Sequence, residues 1–125
     1  MRNSYTEEQR KQIYSCFNAA LDKKAEEVLV LDLRGVSNVA DFFVICHGTS
    51  QRQVQAISDN VETALRGQGM KSYTVEGRET GTWVLIDFHD IVVHVFYQTS
   101  RAFYALEKLW SDAKCLDTNE ILAWG

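Results

Sequence analysis

The segment from Thr82 to Tyr97 constrains the fold more than any other part of the chain. Two runs of strand-forming residues are separated only by His89-Asp90, and this spacing predicts a β-hairpin with a two-residue turn. If Phe88 faces Ile91, alternation sorts the side chains onto two faces. One face is wholly apolar and should lie on the core; it carries Val84, Ile86, Phe88, Ile91, Val93 and Val95.

The other face of the hairpin has an unusual composition. It carries Trp83, Leu85, Asp87, Val92, His94 and Phe96, where a solvated face would carry lysine, glutamate and threonine. One interpretation is that a helix also covers this face, with Asp87 and His94 near the rim. The other is an exposed binding patch with Trp83 and Phe96 as a cross-strand aromatic pair, since exposed apolar patches rimmed by polar groups mark interaction sites. The hairpin alone leaves both open.

The remaining patterns predict an α/β fold. Capping boxes at Thr6-x-x-Gln9 and Ser50-x-x-Gln53 begin two amphipathic helices, and Ser100 can cap a last one. The first helix should run from about Glu7 to Lys24, and the second should have about 16 residues. Further strands are predicted at 28–33, 42–46 and 73–76. We therefore expect a single domain over residues 1–125, with a mixed β-sheet flanked by helices.

Composition limits the classes of partner. The chain carries 13 basic and 17 acidic side chains, a formal charge of −4, so counterion release cannot drive it broadly onto nucleic acid. A mildly acidic protein is better suited to a basic protein partner. No apolar run is long enough to span a membrane, and the polar start lacks the apolar region of a secretory signal. We expect a cytoplasmic protein.

The sequence motifs bear on whether the chain is an enzyme. Gly48-Thr49-Ser50, between a strand and a helix, could hold a phosphate at the helix N-terminus. A nucleotidyltransferase also needs acidic residues, usually D-x-D, to hold magnesium, and the chain contains no D-x-D. Helix capping is therefore the favoured reading of Thr49 and Ser50, and we expect neither cofactor nor metal.

The cysteines and histidines also give no indication of a metal or catalytic site. Cys16, Cys46 and Cys115 are far apart, odd in number and without a C-x-x-C spacing, so they read as free thiols. The three histidines, His47, His89 and His94, lack the i, i+4 spacing of a helical metal site. His94 and Asp87 could form a hydrogen-bonded pair on the outer face, which would be structural or interfacial rather than catalytic.

Three blocks of the chain, in order, resemble the ribosomal silencing factor, or Iojap, family. The first is residues 40–50, reading ADFFVICHGTS, followed by the helix with Val54 and Ile57. The second is Glu76-Gly77, a short loop, Trp83 and then Asp87. The third is residues 92–96, VVHVF, continuing through Arg101 to Leu109-Trp110. Together they span about residues 28–113, and the tail after Trp110 is expected to lie outside the shared pattern.

The resemblance implies a nucleotidyltransferase-like fold without the catalytic acids. It also implies a translational repressor that binds the large ribosomal subunit through ribosomal protein fourteen. Such a protein blocks joining of the small subunit when nutrients are short, and organelle relatives act in mitochondrial or plastid ribosome assembly. Carried over by matching positions, the binding residues would be Trp83, Asp87, His94, Tyr104 and Trp110; the hairpin face adds Leu85 and Phe96.

Two departures from the family pattern bear on these expectations. The family usually has Gly-Asp at the hairpin turn, where this chain has His89-Asp90, which leaves the turn type open. The family often has an acid after the arginine of the third block, where Ala102 follows Arg101. Three alternatives to the silencing role stay open: a nucleotidyltransferase-like enzyme, a role in large-subunit assembly, and a homodimer in which the Trp83 face meets itself.

Overall fold

The computed structural model describes residues 4–98 and 106–125. The helices in these residues are α1 (Glu7–Asp22), α2 (Gln51–Gly67), α3 (Glu107–Asp112) and α4 (Thr118–Leu122). The strands are β1 (Glu26–Asp32), β2 (Phe42–Gly48), β3 (Thr74–Glu76), β4 (Trp83–Asp87), β5 (Ile91–Tyr97) and β6 (Lys114–Cys115). None of the described helices is both long and apolar enough to cross a membrane.

The six strands form one mixed sheet in the order β3-β4-β5-β2-β1-β6. β2 and β5 are parallel, with Phe42 opposite Ile91 and Gly48 opposite Tyr97, while the other neighbouring pairs are antiparallel. Because both central strands are buried along nearly their whole length, they read in sequence as continuous apolar runs. The predicted mixed α/β architecture is confirmed.

The hairpin has the register expected from alternation. Trp83 lies opposite Phe96, and Asp87 lies opposite Val92. The turn is tight: the Asp90 N–H donates to the Phe88 carbonyl at 3.1 Å, and His89 has φ 79°. These are the features of a γ-turn, which is strained for a residue other than glycine. The Asp87 carboxylate accepts the His89 N–H at 2.7 Å and so supports the turn.

The larger core lies between the sheet and helices α1 and α2. It contains the predicted apolar face of the hairpin and the inward faces of both helices, including Ile13, Phe17, Ile57 and Leu65. Each fully buried side chain of this size stabilises the fold by about 1.5–3 kcal/mol relative to exposure. The capping box at Thr6 and Gln9 forms in full, with both reciprocal hydrogen bonds. At Ser50 only half of the predicted box forms: the Ser50 hydroxyl accepts the Gln53 N–H, while the Gln53 side chain bonds to Thr49 instead of returning to the Ser50 backbone.

Several element boundaries differ from the prediction by one or two residues, among them the end of β2 at Gly48 rather than residue 46, and two of them have a clear cause in the backbone. Helix α1 ends at Asp22 rather than Lys24, because Lys24 adopts a left-handed φ of 62° that terminates a helix. Strand β1 begins at Glu26, two residues earlier than expected, because an irregularity between Glu26 and Leu29 extends its pairing with β2. Glu27 within that bulge has φ 48°, a conformation that apolar periodicity does not predict.

The C-terminal tail closes the β1 side of the fold. The two-residue strand β6 pairs with β1, and the Asp117 side chain caps α4 by accepting the Asn119 N–H. Ile121 is fully buried in the larger core, and the Trp124 ring lies 5.5 Å from that of Tyr5. Strand β6 was not predicted, since two residues carry no readable alternation.

Tyr5 also belongs to a buried polar cluster at this end of the sheet. Arg34 forms a two-point pair with Asp32, at 2.9 and 2.8 Å, and its guanidinium lies over the rings of Tyr5 and Phe42. Burial alone would raise the pKa of Asp32, but its hydrogen bonds with Arg34 outweigh burial and lower that pKa. The pair fixes the end of β1 against the start of the chain.

Candidate functional site

The outer face of the sheet, opposite α1 and α2, is covered along only part of its width. Helix α3 packs there through Leu109 and Trp110 over a second, smaller core that includes Phe43 and Phe96. Strand β4 lies at the margin of this cover, and Trp83 is 40 % exposed. Both interpretations of the hairpin face are thus partly realised: a helix covers the β5 side chains, and Trp83 remains accessible.

Four side chains form what we call the Trp83 surface: Glu76, Trp83, Leu85 and Asp87. Trp83, Leu85 and Asp87 alternate along β4 and so share its outer face. Glu76 on β3 lies directly opposite Leu85, which places it on the same face. An open cleft of about 280 Å³ is lined by Glu76, Gly77, Trp83 and Leu85. The surface therefore combines the apolar side chains of Trp83 and Leu85 with two neighbouring carboxylates, Glu76 across from Leu85 and Asp87 at the end of β4.

The Trp83 ring is held in a defined orientation. Its Nε1–H donates to Nδ1 of His94 at 3.1 Å, and its ring centroid lies 5.2 Å from that of Phe96 with the planes at 35°. The hydrogen bond and the ring contact together fix both ends of the indole. The remaining indole surface faces solvent, an arrangement typical of aromatic anchors at interfaces.

His94 lies beneath Trp83 and is only 4 % exposed. The rings of Phe43 and Phe96 flank its imidazole, with centroids 4.6 and 6.1 Å away. This burial lowers the pKa of His94 to about 4, since an apolar setting disfavours the charged form. The imidazole is therefore neutral at physiological pH, and because Nδ1 accepts the indole N–H, its own proton sits on Nε2.

The segment before β4 positions Trp83 through two close contacts. Gly77 has φ 81°, and a Cβ there would overlap the backbone carbonyl of Trp83, so only glycine fits. The Gln55 side chain of α2 donates to the carbonyls of Arg78 and Glu79 at 2.8 and 3.2 Å. These contacts hold the loop against α2 and thereby set where β4 begins.

The predicted site residues take three different positions. Trp83, Leu85 and Asp87 lie on the Trp83 surface, whereas His94 and Phe96 are buried beneath it and can support a contact but not make one. Trp110 is half-buried and packs on the outer core, and Tyr104 lies outside the described residues, as do Ser100, Arg101 and Phe103.

Sequence reasoning did not assign Glu76 and Gly77 to the site. Both belong to the second block of the family resemblance, but strand β3 is too short for its pairing with β4 to be predicted from the sequence. The signal that could have placed Glu76 is its separation from Leu85 across a glycine-bounded loop, which is typical of two strands that pair.

The strand-turn-helix at Gly48-Thr49-Ser50 is filled by the protein's own side chains. Oε1 of Gln53 accepts from the Thr49 backbone N–H at 2.6 Å and from the Thr49 hydroxyl at 3.0 Å. Nε2 of Gln53 donates to the carbonyls of Lys23 and Lys24. The Ser50 hydroxyl accepts the Gln53 N–H at 3.0 Å, which confirms the capping interpretation for Ser50, whereas the Thr49 hydroxyl donates to the Gln53 side chain and caps no helix N–H.

No group of three potential metal ligands is assembled within residues 4–98 and 106–125. His47 contacts Glu26 at 3.1 Å and Glu27 at 3.7 Å, but through opposite nitrogens of its ring. All three cysteines are free thiols, as predicted, and burial raises the pKa of Cys46 to about 12. A buried thiol with a raised pKa is a poor nucleophile.

Comparisons with known proteins agree on one family. The family model described as "Ribosomal silencing factor during starvation" matches residues 6–123. The chain is 48% identical over 106 residues to the ribosomal silencing factor RsfS of Halalkalibacterium halodurans, a match that covers 85% of this chain and 91% of that protein. A solved structure from Bacillus halodurans superposes with a TM-score of 0.74 at 47% identity, covering 82% of this chain and 93% of that one.

A more distant relative carries a different name. The mouse protein "Mitochondrial assembly of ribosomal large subunit protein 1" is 28% identical over 92 residues, which cover 71% of this chain and 40% of that protein. The family match also corrects one expectation. It extends to residue 123, so most of the tail after Trp110 belongs to the shared pattern, consistent with the burial of Ile121 in the core.

Proposed function

This chain is a member of the ribosomal silencing factor family, and on that premise we propose that it represses translation by binding the large ribosomal subunit through ribosomal protein fourteen. The Trp83 surface makes the contact. The bound protein occupies the space that the small subunit needs, and it acts in the cytoplasm when nutrients are short. The mechanism is steric and requires no chemistry.

The observation that carries the proposal is the accessible, pre-oriented indole of Trp83. The side chain is 40 % exposed, yet it is held by His94 and Phe96. Ordering a side chain on binding costs about 0.5–1.5 kcal/mol, and a ring that is already fixed avoids most of that cost. Tryptophan is also the residue type most often found to dominate binding energy at protein interfaces.

Charge supports a basic partner. Glu76 lies opposite Leu85 on β3 and Asp87 follows two residues after Leu85 on β4, and the chain has a net charge of −4. Carboxylates at the rim of an interface increase the rate of encounter with a basic protein and fix its orientation. An interface of about 800 Å² on each partner would be of ordinary size for such a contact.

The test is co-sedimentation with isolated bacterial large and small ribosomal subunits. We expect the wild type to sediment with the large subunit only, and Trp83→Ala to bind about thirtyfold more weakly, because loss of a central aromatic anchor costs about 2 kcal/mol or more. Tyr73→Ala is the matched control. Tyr73 is an aromatic residue exposed to 72% that contacts His89 at the hairpin turn, away from Trp83.

Two results would contradict the proposal. If the wild type does not sediment with the large subunit, the family role does not extend to this chain. If Trp83→Ala and Tyr73→Ala weaken binding equally, the Trp83 surface is not the contact. Sedimentation equilibrium of the free protein separates a further case: a homodimer that dissociates in Trp83→Ala would show that the same surface also meets a second copy.

A role in large-subunit assembly is the second candidate, favoured by the name of the mouse relative. Both roles need the same contact with the large subunit, so binding alone does not separate them. Deletion of the gene in its host does: accumulation of large-subunit precursors would indicate assembly, and unchanged precursors with excess joined ribosomes under starvation would indicate silencing.

A further inference from the structure

We propose that His94 is a positioning residue for Trp83, retained at a cost in stability because it fixes the indole for partner binding. This inference rests on the proposed function. It departs from the expectation that His94 itself contacts the partner, since the side chain is buried beneath the surface that would be touched.

The His94 imidazole makes a hydrogen bond to the described residues with only one of its two ring nitrogens. Its Nδ1 accepts from Trp83, which leaves the proton on Nε2. Within the described part of the chain, Nε2 has no hydrogen-bond partner and is fully buried. A buried donor without a partner destabilises the folded state, because it gives up its hydrogen bond to water and gains none in return.

An apolar residue would fit the surroundings of His94 better. The neighbours of His94 across the sheet are Leu85 on β4 and Ile45 on β2, and the rings of Phe43 and Phe96 flank it. None of these four side chains carries a charge or a polar group. Packing alone would therefore favour leucine at this position.

The one favourable polar contact of His94 serves Trp83. Without an acceptor beneath it, the indole N–H would have to donate to water, and the ring could rotate away from its contact with Phe96. Natural proteins keep a locally unfavourable residue mainly where function requires it. The hydrogen bond to Trp83 is the contact on the outer face that meets this description.

The test separates stability from binding, using His94→Leu and His94→Asn. Leucine has a similar volume and no acceptor. The Asn Oδ1 is the same number of bonds from the backbone as the His Nδ1, so it can restore the acceptor. Urea unfolding gives stability, co-sedimentation with large ribosomal subunits gives affinity, and NMR hydrogen exchange of the Trp83 indole N–H, assigned with Trp83→Phe, reports the hydrogen bond directly.

We expect His94→Leu to be at least as stable as the wild type, to exchange the Trp83 indole proton at least tenfold faster, and to bind large subunits roughly fivefold more weakly, the cost of ordering one side chain. His94→Asn should recover part of the exchange protection and part of the affinity. In the Trp83→Phe background, which lacks the indole N–H, His94→Leu should no longer change the affinity.

The inference is overturned if His94→Leu loses stability and affinity together, as a purely structural residue would, or if indole exchange is unchanged. Failure of the proposed function has a different signature. If the wild type does not bind large subunits, the proposed function is wrong. The exchange rates of the Trp83 indole proton in the wild type and His94→Leu then test by themselves whether His94 anchors Trp83.

Discussion

Burial of a neutral histidine beneath the Trp83 surface predicts that the folded state loses stability in mild acid. The pKa of His94 is lowered to about 4 in the folded protein because burial disfavours the imidazolium, whereas an unfolded histidine titrates near 6.5. Between those values the unfolded chain binds more protons. The folded state is therefore destabilised as the pH falls from about 6.5 towards 4.

The magnitude follows from the size of the shift. Each pKa unit corresponds to about 1.4 kcal/mol, so His94 should remove about 3 kcal/mol over the whole window and about 2 kcal/mol between pH 7 and pH 5. For a domain of this size that is a large share of the total stability. The carboxylate of Asp32, whose pKa is also lowered, loses its contribution at more acidic pH.

The assay is urea unfolding at pH 7 and pH 5 for the wild type and His94→Leu. The wild type should lose about 2 kcal/mol more than the variant between the two pH values. His89→Asn is the control, since it removes an exposed imidazole at the hairpin turn and keeps His94. Equal losses in wild type and His94→Leu would refute the reasoning, because the buried imidazole would then not be the group that takes up the proton.

Two further substitutions test the supports of the fold and the site. Gly77→Ala should destabilise the protein by about 1–3 kcal/mol in urea unfolding and weaken large-subunit binding. The reason is that Gly77 has φ 81° and that an added Cβ would overlap the backbone carbonyl of Trp83. Gly67→Ala is its control: nothing lies within 4 Å of that Cβ, and the change should be neutral or slightly stabilising. Asp32→Asn should cost about 1–3 kcal/mol by thermal or urea unfolding, since it removes the buried carboxylate that accepts two hydrogen bonds from the partly exposed Arg34 guanidinium; a loss below about 0.5 kcal/mol would show that the pair does not hold β1 in place.

Local patterns predicted the hairpin and the long helices well. The hairpin register follows from two physical facts, the period of two along a strand and the shortness of the turn, and Trp83 lies opposite Phe96 as they require. The caps at Thr6 and Ser50 place the starts of α1 and α2, because side-chain capping is a contact within four residues.

The features that escaped prediction depend on contacts distant in sequence. Trp83 and His94 share one face of the hairpin, yet one is 40 % exposed and the other 4 %, because His94 lies among the rings of Phe43, Trp83 and Phe96 while Trp83 lies at the margin of that cluster. The alternation of side chains within the hairpin does not predict which residues of its outer face are covered. Likewise, the irregularity at Glu27 and strand β6 exist only because β1 has a partner on each side.

The most direct test of the account is subunit joining, followed by light scattering as isolated large and small ribosomal subunits are mixed. The account predicts that the wild type, preincubated with large subunits, suppresses joining in proportion to its occupancy. Tyr73→Ala should do the same, and Trp83→Ala should need about thirtyfold more protein for equal suppression. Undiminished joining with large subunits saturated by wild-type protein would contradict the steric mechanism, and equal suppression by Trp83→Ala would contradict the role of the Trp83 surface.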